Sequence, residues 1–129
     1  MVAGGPVTGL RHPRALQVAG RQALDLGIVD LTGLAVDPAD GDTVYTAGQG
    51  PLDPATGEVI DGDVGAQTAR TMENLEAVLG AAGTSLENAL KVTVYLGDMG
   101  DYAAVNEVYA EYVSEPFPAR TAVEVGEFP

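Results

Sequence analysis

A chain of 129 residues, 46% of them hydrophobic, is long enough for one domain around one modest core and too apolar to be disordered. Six basic residues against nineteen acidic ones leave a formal net charge of −13, a field that repels phosphate backbones and anionic lipid and so disfavours nucleic acid and membrane as partners. The absence of cysteine removes disulfides, thiolate metal sites and a thiol nucleophile, and a single histidine, His12, cannot supply a multi-histidine metal site within one chain.

Residues 1–22 read as an uncertain N-terminal segment, more tail than domain. Gly4, Gly5, Pro6 and Gly9 suggest a flexible chain, and Arg11, Arg14 and Arg21 hold half of the basic residues. Residues 1–10 lack the basic start and long apolar run of a signal peptide, and no apolar run anywhere approaches the ~20 residues of a membrane span, so the cytosol is the default expectation. A single domain is expected over 23–129. Leu24, Leu26 and Ile28 alternate with Asp25 and Gly27, the period of a strand. Asp37-Pro38-Ala39-Asp40-Gly41-Asp42 is turn chemistry and predicts a hairpin between strands near 32–36 and 43–47. Gly48-Gln49-Gly50-Pro51 ends the second strand, and Leu52–Glu58 forms a further loop.

The clearest helix is predicted over 63–82, with Asp63 as N-cap, an apolar stripe of Met72, Leu75, Val78, Leu79 and Ala82, and Gly83 just past its end. Leu90, Val92, Val94 and Leu96 alternate with polar neighbours as a half-buried strand. Asp101 then reads as the cap of a second helix, with Tyr102, Val105, Tyr109 and Tyr112 as its packing stripe. Two prolines, Pro116 and Pro118, stiffen the approach to a last strand, where Thr121, Val123 and Val125 alternate with Ala122 and Glu124. Arg120 stands where that braced corner becomes a strand. A guanidinium on a stiff backbone can hold a planar carboxylate through two parallel hydrogen bonds, although in so acidic a chain a surface ion pair is the competing reading. The element order suggests a two-layer α+β sandwich with two helices on one face of the sheet, and burial of the other face by oligomerisation.

Four segments, in this order and spacing, resemble the RidA (YjgF) family of reactive-intermediate deaminases. They are Tyr45–Glu58, then Glu73-Asn74-Leu75 with Leu79, Ala82 and Gly83, then Lys91–Met99, then Val105–Tyr109 leading to Pro118-Ala119-Arg120-Thr121. The resemblance implies a chorismate-mutase-like (ferredoxin-like) sandwich with a mixed sheet, assembled as a homotrimer whose sheets form a barrel with clefts between subunits. It implies hydrolysis of 2-imino or enamine acids to 2-keto acids and ammonia, with no metal and no bound cofactor. Arg120 would hold the substrate carboxylate. Backbone groups at Ala122 and Gly48 would polarise the imine and water, and Asn106, Gln49 and Leu31 would border the cleft, Leu31 or a neighbour replacing a family tyrosine. Ala122 stands where the family often has cysteine. The family's final strand, whose Glu positions the water, lies beyond Pro129. Residues 23–31 resemble that strand in pattern, and their pairing beside 120–125 would put Asp25 in the place of the Glu; failing that, Glu124 is the next acid. Alternatives are a specialised biosynthetic enzyme with altered chemistry, or a non-catalytic trimer binding small carboxylates. A nuclease role, attached to some relatives, is disfavoured by the net charge of −13.

Overall fold

The computed structural model describes residues 2–6, 35–36 and 43–127. Five strands and two helices follow one another as β1 (Val2–Pro6), β2 (Ala35–Val36), β3 (Thr43–Tyr45), α1 (Val64–Ala81), β4 (Lys91–Leu96), α2 (Tyr102–Tyr112) and β5 (Ala119–Glu124), with short 3-10 turns at Leu86–Asn88 and Met99–Asp101. The sheet order is β2-β3-β1-β4-β5. β2 and β3 pair antiparallel, Val36 opposite Val44, as expected of the hairpin, and β4 and β5 pair parallel, with Val92 opposite Arg120 and Val94 opposite Ala122. β1 runs antiparallel to both β3 and β4, so β3 and β4 are parallel with one strand inserted between them.

That inserted strand corrects the sequence reading of residues 2–6 as tail. Gly4-Gly5-Pro6 carries no strand signature, yet the gap between β3 and β4 offers rows of backbone donors and acceptors on both sides, and pairing there outweighs local preference. Pro6, which cannot donate to a ladder, sits at the strand's end. The strand expected at 23–29, the turn at 37–42 and the remainder of the 1–22 segment lie outside the described residues. Among the described residues, β5 has β4 as its sole neighbour.

Helix α1 forms for the expected reasons. Asp63 Oδ1 accepts from the Ala66 amide at 2.8 Å, satisfying one of the unpaired amides of the first turn. At the other end Gly83 takes φ +83°, the Gly83 amide donates to Gly80 and the Thr84 amide to Leu79, a Schellman closure that needs a residue without Cβ strain. Every residue of the expected stripe is buried, Met72 and Leu75 completely. Of these, Met72, Leu75 and Leu79 meet Val92, Val94 and Leu96 from the inward face of β4, and Val105 and Tyr109 from α2, in a single core. Full burial of each large aliphatic side chain is worth roughly 1.5–3 kcal/mol. Both helices therefore cover one face of the sheet, and the other face presents Tyr45, Tyr95 and Val123 exposed.

Helix α2 departs from expectation at its start. Asp101 is helical and makes no side-chain cap bond. The capping falls one turn earlier, where Asp98 Oδ1 accepts from the Gly100 amide at 2.7 Å and closes the Met99–Asp101 turn. Tyr102, expected in the packing stripe, is 38% exposed.

Candidate functional site

The parallel pairing of β4 and β5 sets Arg120 and Ala122 on the face that looks at α2, because alternate residues of a strand share a face. The approach runs through a cis Glu115-Pro116 peptide and Pro118. From the first residues of β5 the Arg120 side chain crosses to α2 and meets three residues spaced for one helix face, 102, 106 and 109. Nη1 donates to Asn106 Oδ1 at 2.8 Å and Nη2 donates to the Tyr102 hydroxyl oxygen at 2.7 Å. The guanidinium carbon lies 4.7 Å from the centroid of the Tyr109 ring and 5.5 Å from that of Tyr102, within range for cation–π attraction.

All of these partners are neutral. The ion pair found among the described residues is Arg70–Glu73 at 2.8 Å, one turn apart on α1. Although the protein is strongly acidic, Arg120 thus has no ion-pair partner among the described residues. Its stacking and hydrogen bonds fix the guanidinium plane, and half-burial raises the strength of any charge contact above its value in water. Among the described residues two of the five guanidinium N–H groups are used, which leaves three for an anion there. Arg120 and Asn106 also line a hollow of about 290 Å³ with Tyr109, Ala110, Val113, Phe117 and Pro118. Burial pushes the Tyr109 phenol above its ordinary pKa, and the neighbouring Arg120 charge partly opposes the shift. The Tyr109 hydroxyl is buried with no hydrogen-bond partner among the described residues.

Gly48 and Gln49 lie elsewhere in the chain. They follow β3 on a loop that lines a larger groove of about 1080 Å³, together with Asn74, the end of β4 and Val125. The loop is held from α1: Asn74 Nδ2 donates to the Gly50 carbonyl at 3.0 Å and to the Leu52 carbonyl at 2.8 Å. Beyond it, Asp53 Oδ1 accepts from the Ala55 amide and Gly57 turns the chain at φ +73°. Ala122 packs against the core. Glu124 accepts from the Met99 amide at 2.8 Å, so its carboxylate ties β5 to the turn after β4. Asp25 and Leu31 lie outside the described residues.

Within the single chain, then, Arg120 and Asn106 come together, and Gly48 and Gln49 line a different hollow. Tyr109 is buried as expected of the packing stripe, but sequence reasoning missed the contacts that Tyr102 and Tyr109 make with Arg120 and the hold of Asn74 on the 50–52 loop. The first two share their helix face with Asn106, which was a usable signal. Asn74 interrupts a buried apolar stripe, where a polar residue needs a specific partner. Among the described residues no group of three or more His, Cys, Asp or Glu is arranged to hold a metal ion, and no helix is long and apolar enough to cross a membrane.

The family profile described as Endoribonuclease L-PSP matches residues 34–129. The chain belongs to this family, the RidA (YjgF) family. It is 55% identical over 89 residues to a RutC family protein of Pyrococcus horikoshii, covering 69% of this chain and 71% of the relative. The crystal structure of RidA from an Antarctic Psychrobacter superposes with a TM-score of 0.64 at 44% identity, covering 67% of this chain and 69% of the other. A 2-iminobutanoate/2-iminopropanoate deaminase of Capra hircus is 40% identical over 87 residues, covering 67% of this chain and 64% of that protein. The mixed α/β arrangement of two helices on a small sheet agrees with these structures.

Proposed function

We propose that this RidA-family protein hydrolyses 2-imino or enamine acids to 2-keto acids and ammonia. The observation that carries the reading is Arg120: a half-buried guanidinium, oriented by Asn106, Tyr102 and Tyr109, whose partners among the described residues are all neutral. Such a group is suited to a small organic carboxylate. Membership of a family that includes a 2-iminobutanoate/2-iminopropanoate deaminase supplies the reaction class. In the reaction, water adds to the iminium carbon, the C–N bond of the resulting amino alcohol breaks, and the C=NH2+ group plus water becomes C=O plus ammonium. An iminium carbon is already electrophilic, so positioning and a few fixed dipoles suffice to accelerate the attack. Arg120 would hold the carboxylate, and backbone groups at Ala122 and Gly48 would polarise the imine and the water, with Gln49 bordering the cleft.

A homotrimer with a barrel of chorismate-mutase-like subunits fits the exposed Tyr45, Tyr95 and Val123 on the uncovered sheet face, since such a face calls for a partner. A neighbouring subunit would then bring a Gly48–Gln49 loop towards Arg120, which one protomer alone keeps in separate hollows. Asp25 and Leu31 remain proposed contributors to the same cleft. A second reading, a non-catalytic trimer that binds small carboxylates, is favoured by the structural engagement of Glu124 and the core packing of Ala122, which leave no acid beside Arg120 among the described residues. The deciding experiment generates 2-iminobutanoate in situ and follows ammonia and 2-oxobutanoate release. Acceleration by the wild type that Arg120→Ala abolishes supports the deaminase. Retained 2-oxobutanoate binding without acceleration supports the binding protein, and neither activity nor binding refutes both.

A further inference from the structure

The Tyr102 hydroxyl is placed to do more than steady Arg120. A guanidinium has donors only, so in the 2.7 Å contact with Nη2 the phenol oxygen must accept. Its own proton therefore points away from Arg120, and no hydrogen bond donated by Tyr102 occurs among the described residues. Tyr102 is 38% exposed and Arg120 half-buried, so solvent and small solutes reach the pair. Among the described residues the guanidinium beside it has no carboxylate partner, and its neighbours Asn106 and the Tyr109 ring offer no negative charge. An anion drawn to the N–H groups of Arg120 that have no described partner thus meets a phenolic O–H that has no acceptor among the described residues.

We propose that Tyr102 belongs to the ligand-binding site, accepting from Arg120 while donating its proton to the carboxylate that Arg120 holds. This rests on the reading of Arg120 as the carboxylate group of the site. The phenol then adds a charge-assisted O–H···O− bond to the guanidinium contacts, and the two groups polarise each other through the Nη2–H···O bond between them. The site selects ligands whose anionic oxygens lie in one plane close to the α2 surface. Phenylalanine at position 102 would keep the ring against the guanidinium and remove both hydrogen bonds.

The test is calorimetric titration of the full chain with 2-oxobutanoate, combined with steady-state kinetics on 2-iminobutanoate generated in situ. Tyr102→Phe is expected to weaken 2-oxobutanoate binding roughly tenfold or more, the effect of losing a hydrogen bond to a charged group. KM should rise by a similar factor with little change in kcat, and the melting temperature should stay within about 2 °C, as for an exposed site. Arg120→Ala should abolish binding. If Tyr102→Phe binds within about twofold of wild type while Arg120→Ala does not bind, Tyr102 is no part of the site and the carboxylate reading of Arg120 survives. If Tyr102→Phe lowers the melting temperature and kcat together and leaves affinity unchanged, its role is structural and the proposal fails. A wild type that neither binds 2-oxobutanoate nor accelerates 2-iminobutanoate hydrolysis overturns both this proposal and the carboxylate role of Arg120, and one that accelerates hydrolysis with a KM that Tyr102→Phe leaves unchanged overturns this proposal alone.

Discussion

Replacing Asn74 by alanine removes one side chain and frees a loop twenty-two residues away in sequence. Asn74 is buried on α1, and its amide group reaches two carbonyls, Gly50 at 3.0 Å and Leu52 at 2.8 Å. Each such bond contributes about 0.5–1.5 kcal/mol net. Gly50 is half-buried and Leu52 exposed, so the abandoned carbonyls can turn partly to water and the full burial penalty does not apply. Alanine also returns up to about 0.7 kcal/mol of helix propensity. The two bonds together are worth about 1–3 kcal/mol, so the balance is a loss of about 1–2 kcal/mol. At this chain length that lowers the melting temperature by about 4–8 °C. Chemical denaturation monitored by circular dichroism measures the stability. Hydrogen exchange of the Asp53 and Ile60 amides, which donate to Glu58 and Pro51 within the loop, reads whether the loop itself loosens. Glu73→Ala, one residue away and removing an exposed ion pair with Arg70, is the control and should cost less than about 0.5 kcal/mol. If Asn74→Ala unfolds within about 0.5 kcal/mol of wild type with unchanged exchange at Asp53 and Ile60, the two hydrogen bonds do not hold the loop and the reasoning is wrong.

Three further outcomes follow from the same structure. Gly83→Ala, forced to φ +83°, should destabilise by about 1 kcal/mol in denaturant titration, and Gly80→Ala, inside the helix with open space around its Cα, should instead stabilise slightly. Leu75→Ala, which empties a fully buried position, should cost about 2–5 kcal/mol and shift the thermal transition accordingly. Tyr109→Phe removes a buried hydroxyl with no described partner and keeps the ring under Arg120, so near neutral pH its stability should equal or exceed wild type. The folded state holds the Tyr109 phenol above its ordinary value of 10.0, so the unfolded chain releases that proton first. The Tyr109 contribution is complete below pH about 10 and is lost as pH rises beyond it, so the wild type should lose stability there more steeply than Tyr109→Phe. Equal slopes would show that the phenol is not desolvated in the fold.

What the sequence alone determined are the elements whose signals are local. Helix α1 was readable from Asp63, its apolar stripe and Gly83, because an N-cap, a 3.6-residue period and a glycine at the helix end are each set within a few residues. The pairing of Ala35–Val36 with Val44–Tyr45 inside the expected hairpin, β4 and the braced strand after Pro118 were readable for the same reason, and Arg120 stood out as a cation on a stiff corner. Only the tertiary structure decided that Val2–Pro6 fills the gap between β3 and β4, since that choice satisfies backbone groups of strands some forty and ninety residues later. It alone separated the tyrosines of α2, sending Tyr109 into the core and Tyr102 to the guanidinium, because a helical period says which residues share a face and not what faces them. And it set Asn74 against the 50–52 loop and Glu124 against the Met99 amide, contacts between segments more than twenty residues apart whose partners no local pattern can name.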